Sequence, residues 1–139
     1  MPTSLTHIAM HVQDLAACVD FYHRYAEMNI VHERPHHNGK VIWMAEHGRE
    51  KEFILVLLPG GPGRAQSDSD FSHLGFAVAS RHAVDSIADR ARAEGILVWE
   101  TREEDYPVGY YCGLRDPDGN FVEFSYGQPL GPGAENREF

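Results

Sequence analysis

Two cysteines, Cys18 and Cys112, are all the thiol chemistry in this 139-residue chain. They form no CxxC pattern and are too few for a disulfide scaffold, which excludes the small cross-linked folds. Long apolar runs are also missing. The longest, Phe53–Leu58, is strand-sized, against the ~18 residues of a membrane span. The start, Met1-Pro2-Thr3-Ser4, has neither a basic region nor an apolar stretch, so no secretory leader is expected. With so few thiols, this points to a reducing, cytoplasmic setting. Basic residues are scarce as well. Twelve Lys and Arg against 21 Asp and Glu leave −9 with His neutral. A phosphate backbone repels such a chain, which argues against nucleic acid as a partner, and nothing suggests a membrane.

What is present is a sequence with 42% apolar and 24% charged residues, suited to one globular domain with a sizeable core. Histidine stands out at nine residues, each a potential metal ligand or proton carrier. An internal repeat organises the chain. Residues 5–12 read Leu-Thr-His-Ile-Ala-Met-His-Val and residues 71–78 read Phe-Ser-His-Leu-Gly-Phe-Ala-Val. His7 and His73 fill the same slot. Asp14 and Ser80 follow as helix caps. Apolar residues at Leu15, Cys18, Val19, Tyr22, Tyr25 and Ala26, and at Val84, Ile87, Ala88 and Ala91, then mark two helical stripes. Gly95 supplies a stop for the second helix.

Strands are expected at Ile30–His32, Val41–Ala45 and Phe53–Leu58 in the first half. In the second half they are expected at Ile96–Trp99, Tyr110–Leu114 and Phe121–Tyr126, with a turn at Asp116-Pro117-Asp118-Gly119-Asn120 before the last. The expected fold is therefore α+β: two tandem βαβββ modules, 5–58 and 71–127. A Gly/Pro/Ser-rich linker, 59–70, joins them, and an irregular tail, 128–139, follows. A four-stranded module with one helix leaves one sheet face uncovered. Two such faces can bury each other or enclose a cleft.

Side chains alternate along a strand, so the equivalent positions of His7 and His73 direct both towards one pseudo-twofold axis. Glu123 lies between apolar neighbours on the last strand, where a buried carboxylate needs a cation or strong donors. Two imidazoles and a carboxylate make a mixed N/O site that suits Fe, Mn, Ni, Zn or Co as a divalent ion and leaves coordination positions open. His11 shares the strand face of His7 but lies about 13 Å along it, too far to share one ion.

These residues resemble a known family. His7-Ile-Ala-Met-His-Val-Gln-Asp14-Leu15, with Asp20-Phe21-Tyr22 on the helix, resembles the first module of the vicinal oxygen chelate superfamily. His73-Leu-Gly-Phe-Ala-Val and Asp116-Pro-Asp-Gly-Asn-Phe-Val-Glu123-Phe124 resemble the start and end of its second module. The superfamily includes glyoxalase I, extradiol dioxygenases, fosfomycin-modifying transferases, methylmalonyl-CoA epimerase and bleomycin-binding proteins. The resemblance implies paired modules whose curved mixed sheets enclose a metal-binding cleft, with His7, His73 and Glu123 as ligands of one divalent ion. It also implies a small substrate chelated through adjacent oxygens.

The chain departs from each specialised member. The fourth glyoxalase I ligand would fall on Phe53–Leu58, where Leu55 or Leu57 would stand opposite Glu123. The dioxygenases' catalytic His would fall near Val56–Leu58. The Tyr that dioxygenases and fosfomycin enzymes carry ten residues before the Glu is Gly113 here, and the fosfomycin enzymes' Thr after the first His is Ala9. A glyoxalase-like lyase or isomerase is the first expectation, a ring-cleaving dioxygenase the second, and a non-catalytic drug-binding protein of the bleomycin-resistance type the third. Glu123 and Tyr111 are the candidate catalytic groups. Trp43, Arg34, Tyr111 and Leu55 are the candidate substrate contacts. Arg34, His36 and His37 form a cationic stretch able to hold an anion. Cys112 falls on the face opposite Tyr111, and Arg81, Arg90 and Arg92 are read as a solvated helix face. A homodimer is expected.

Overall fold

A computed structural model describes residues 1–139 and divides them into two units, Met1–Arg64 and Ala65–Phe139. Each runs β-α-β-β-β, as the repeat predicts. The first holds β1 (His7–Val12), α1 (Leu15–Ala26), β2 (Met28–His36), β3 (Gly39–Glu46) and β4 (Ile54–Pro59). The second holds β5 (His73–Ala77), α2 (Arg81–Glu94), β6 (Leu97–Glu104), β7 (Gly109–Arg115) and β8 (Phe121–Tyr126). The sheets have matching orders, β1-β4-β3-β2 and β5-β8-β7-β6. Both are mixed: β1 pairs parallel with β4 and β5 with β8, and the other pairings are antiparallel.

Both helices start where their caps predict. The Asp14 carboxylate accepts from the Ala17 N–H at 3.0 Å and the Ser80 hydroxyl oxygen from the Ala83 N–H at 3.1 Å. α2 stops at Gly95 in the left-handed region, φ 76°. α1 stops at Glu27, φ 56°, with no glycine to mark that end. Cys18, Phe21, Tyr22 and Tyr25 form the buried stripe of α1, and Val84, Ala88 and Ala91 that of α2. Arg81 and Arg92 do more than meet solvent. They pair with Glu103 at 3.0 Å and Glu100 at 2.6 Å, tying α2 to β6.

The edge strands β2 and β6 run well past the predicted Ile30–His32 and Ile96–Trp99. Their extra residues are mostly polar, including Glu33, Arg34, Arg102 and Glu103, so no apolar pattern announces them. Hairpin pairing to β3 and β7 carries them instead. Pro35 fits because an edge strand tolerates a missing N–H.

Two polar residues set the second unit's register. Asp116 accepts through Oδ1 from the backbone N–H of Asp118 and of Asn120, both at 2.9 Å, which closes the β7–β8 turn. That register pairs Gly113 with Glu123. Gln66, buried in the linker, donates to the carbonyls of Asp70 and Ser72 and accepts from the Phe121 N–H at 3.1 Å. It thereby fastens the approach to β5 onto the start of β8.

Candidate functional site

Cross-strand partners in a sheet share a face. In the second unit, Gly75 of β5 and Gly113 of β7 both pair with Glu123. His73 and Tyr111 lie two residues away on their strands and so share that face. The alternate residues Tyr110 and Cys112 face α2. The Tyr110 hydroxyl donates to Asp85, and the Cys112 thiol approaches the Val84 carbonyl at 3.9 Å. Burial pushes that thiol up to about 12, so Cys112 is no nucleophile at neutral pH.

The face away from α2 carries a cavity of about 740 Å³. His73, Glu123 and Tyr111 line it, with Trp99, Phe71 and Glu104. The His73 Nδ1–H donates to the Phe71 carbonyl at 2.6 Å, which fixes the tautomer and leaves the Nε2 lone pair directed away from the backbone. Nε2 stands 3.8 Å from Glu123 Oε1, beyond hydrogen-bond range. Two atoms that each bind one ion at ~2.0–2.2 Å stand about 3–4 Å apart, so the spacing fits a shared divalent cation.

Glu123 is 9% exposed. Burial raises its carboxyl above the ordinary range, the neighbouring His73 lowers it, and Glu104 raises it again. Gly75 leaves room beside it: a Cβ there would lie 3.5 Å from Glu123 Oε2. A buried carboxylate facing one imidazole nitrogen, with no hydrogen-bond donor on it, is an arrangement that a cation completes.

Gly113 has a packing reason. The Trp99 indole lies directly on it, and a Cβ would come within 2.2 Å of Trp99 Cε3. The same indole meets His73 edge to face at 5.4 Å and Phe121 at 5.4 Å. An aromatic ring from β6 thus occupies the space over the position where the resemblance led one to expect a tyrosine on β7. Tyr111, two residues earlier, donates its hydroxyl to Glu104. Burial, then this bond to a carboxylate, pushes the Tyr111 hydroxyl up to about 12. Trp99, Phe71 and Glu104 escaped the sequence reading. The alternation of β6 marks Trp99, but Glu104 lies at the polar end that no apolar pattern reveals.

In the first unit, His7 pairs with Ile54 and Ala9 with Val56. His73 pairs with Phe121 and Gly75 with Glu123 in the second. The slot equivalent to Glu123 is therefore Val56, which corrects the expectation of Leu55 or Leu57. Leu55 is 2% exposed and pairs with Met44 on the buried side of the sheet, so it is no substrate contact. Parallel pairing of β1 with β4 sets this register, and it could not be read from the chain. The fourth carboxylate is absent on either count.

His7 is exposed on β1, with Nδ1 3.1 Å from the Thr6 hydroxyl oxygen. Trp43 pairs with Val56 on the same face, partly exposed, its ring 5.2 Å from His32. Arg34 is exposed on β2 near His36 and His37. Of the predicted ligands, His73 and Glu123 converge in the second unit, and His7 belongs to the first. Within either unit no three His, Cys, Asp or Glu side chains group as a set of metal ligands.

A family profile described as the Glyoxalase/Bleomycin resistance protein/Dioxygenase superfamily matches residues 4–124. The uncharacterized protein PA2024 of Pseudomonas aeruginosa is 58% identical over 135 residues, 97% of this chain and 96% of that one. Among solved structures, the fosfomycin resistance protein FosX of Listeria monocytogenes, complexed with Mn(II) and sulfate, superposes with TM-score 0.68 at 18% identity, covering 90% of each chain. TnmS3, an antibiotic-binding protein of a Streptomyces species, superposes with TM-score 0.64 at 22% identity, covering 90% of this chain and 97% of that one. At such identities the likeness is one of fold.

Proposed function

Because the chain belongs to the glyoxalase, bleomycin resistance protein and dioxygenase superfamily, we propose that it is a metal-dependent enzyme for a small substrate that chelates one divalent ion through adjacent oxygens. Its reaction is a glyoxalase-like lyase or isomerase step. The observation that carries this reading is the facing of the His73 imidazole and the buried Glu123 carboxylate in one cavity. The donor set, imidazole nitrogen and carboxylate oxygen, suits Mn, Fe, Co, Ni or Zn. His7, at the equivalent position of the first unit, is the third ligand in this proposal, contributed by the same chain or by a second copy in a homodimer.

When bound, the ion supplies Lewis-acid stabilisation of negative charge on the substrate. The remaining work falls to the chain. The Phe71 carbonyl holds the His73 ring in its binding tautomer. Tyr111 stays protonated at neutral pH with its one hydroxyl proton held by Glu104, and rotation of the hydroxyl away from Glu104 would turn that proton to an oxygen on which charge develops. Glu104, at the exposed rim, accepts from that hydroxyl and so orients it. Trp99 and Phe71 wall the cavity and thin the water around the reacting group.

The same aromatic wall favours a second reading, sequestration of a planar ligand without turnover. Metal analysis of protein purified without an affinity tag separates the two. The enzyme reading expects one tightly held divalent ion per site, lost in Glu123→Gln and in His73→Ala. Absence of metal from the wild type, with no affinity for added Mn, Fe, Co, Ni or Zn, overturns it in favour of the binder. Oxygen-dependent cleavage of catechols by the loaded protein would replace the lyase step with the dioxygenase one.

A further inference from the structure

The first unit carries a second charged constellation that the metal reading does not use. Arg34 and His36 lie on one face of β2, and His37 begins the turn into β3. The His36 and His37 rings stand 4.1 Å apart. The tip of this hairpin is seated on the chain that follows β4. Gly60, at φ +86°, has no side chain, and a Cβ there would come within 2.5 Å of the Asn38 amide nitrogen. The adjacent Pro59 carbonyl accepts from His11 Nε2 at 3.1 Å. One junction, Pro59–Gly60, therefore fixes both the hairpin tip and the His11 ring from β1.

Everything titratable that bears on His36 is basic. Partial burial, then His37, then Arg34, then His11 hold its imidazole below the ordinary value. β4 contributes only Leu58 and Pro59 at this end. The nearby Lys40–Glu33 ion pair, 3.3 Å, occupies the alternate positions of the hairpin and so the opposite face. Arg34 makes no ion pair, although the chain has 21 acidic residues to offer. His11, His36 and His37 do not group as metal ligands. Basic groups kept together without a counter-charge gain from an anion, and the Arg34 guanidinium offers it a forked pair of donors.

We propose that His11, Arg34, His36 and His37 form an oxyanion-binding site of the first unit, one that takes a phosphate or phosphonate group. It shares neither the metal ligands nor Tyr111 and Glu104, so anion binding is testable without metal, although Arg34 is the residue the sequence named as a substrate contact and His11 lies on the strand face of His7. A dianion matches several cationic groups better than a carboxylate does. Its binding favours the protonated form of His36, whose imidazole is held below the ordinary value by burial and its basic neighbours, so affinity rises as pH falls.

The test titrates the metal-free full chain with inorganic phosphate, methylphosphonate and acetate, at constant ionic strength, and follows the imidazole proton signals. His23, held by the Met28 carbonyl, and His82 serve as references. Phosphate or methylphosphonate is expected to shift His11, His36 and His37 saturably and to raise the pKa of His36. Both are expected to bind more tightly than acetate. Arg34→Gln is expected to weaken phosphate binding about tenfold with the fold intact, and Arg34→Lys to fall between. Phosphate and methylphosphonate binding alike identifies the terminal oxyanion as what is read. A preference for methylphosphonate identifies an organic carrier. Equal, unsaturated shifts at all histidines, or a phosphate affinity unchanged in Arg34→Gln or unchanged by pH, overturns the proposal.

Discussion

At Gly113 the demand is steric and comes from across the hairpin. The Trp99 indole occupies the space a side chain would need. Gly113→Ala is expected to destabilise the fold by about 1–3 kcal/mol and to displace the indole from His73, read as a changed Trp fluorescence and a lower urea midpoint. Tyr111 gives a pH prediction. Its folded hydroxyl titrates at about 12, against 10.0 for a free tyrosine. Between those values the unfolded chain releases a proton that the folded chain keeps. This contribution to stability is therefore complete below pH 10.0 and is lost as pH rises towards 12. Tyr111→Phe is expected to flatten that part of the stability profile, measured by urea unfolding across the alkaline range. Such residues were partly legible. Strand alternation puts Tyr111 on the face of Gly113, but nothing in the sequence pairs it with Glu104 or lays Trp99 on the glycine.

The helices were legible because their signals are local. Asp14, Ser80 and Gly95 act within one turn of the backbone they cap. The central strands β4, β7 and β8 were legible as apolar runs. The polar halves of β2 and β6 were not, since hairpin pairing rather than burial holds them. Nor was the register of β1 against β4, which is set by contact between distant segments and moved the Glu123-equivalent slot from Leu55 or Leu57 to Val56. Gln66 shows how an apparent linker residue governs two strands. Gln66→Ala leaves the Asp70 and Ser72 carbonyls and the Phe121 N–H without this partner. The expected loss is about 1–3 kcal/mol. Faster amide hydrogen exchange at Phe121 and along β5, with α1 unaffected, checks that the loss is local to this clamp.

Across the whole molecule, one βαβββ plan is used twice with different contents. The second unit places a buried carboxylate where the first places Val56. The second lays an indole from its edge strand β6 over a glycine, whereas the first carries Trp43 on β3 beside His32 of β2. Duplication explains why the fold and the pair His7 and His73 could be read from spacing alone. Divergence explains why substrate contacts could not, because each unit has kept only part of the common pattern. In the proposed function the metal ligands are His73 and Glu123, which face each other in the second unit, with His7 as the third.

The most direct measurement is paramagnetic broadening of the histidine imidazole signals by substoichiometric Mn(II), in the wild type and in Glu123→Gln. His73 and His7 are predicted to broaden together and first, before His36, His37 and the remaining histidines, and Glu123→Gln to abolish the effect at both. Broadening confined to other histidines, or persisting unchanged without the Glu123 carboxylate, would contradict the proposed metal site.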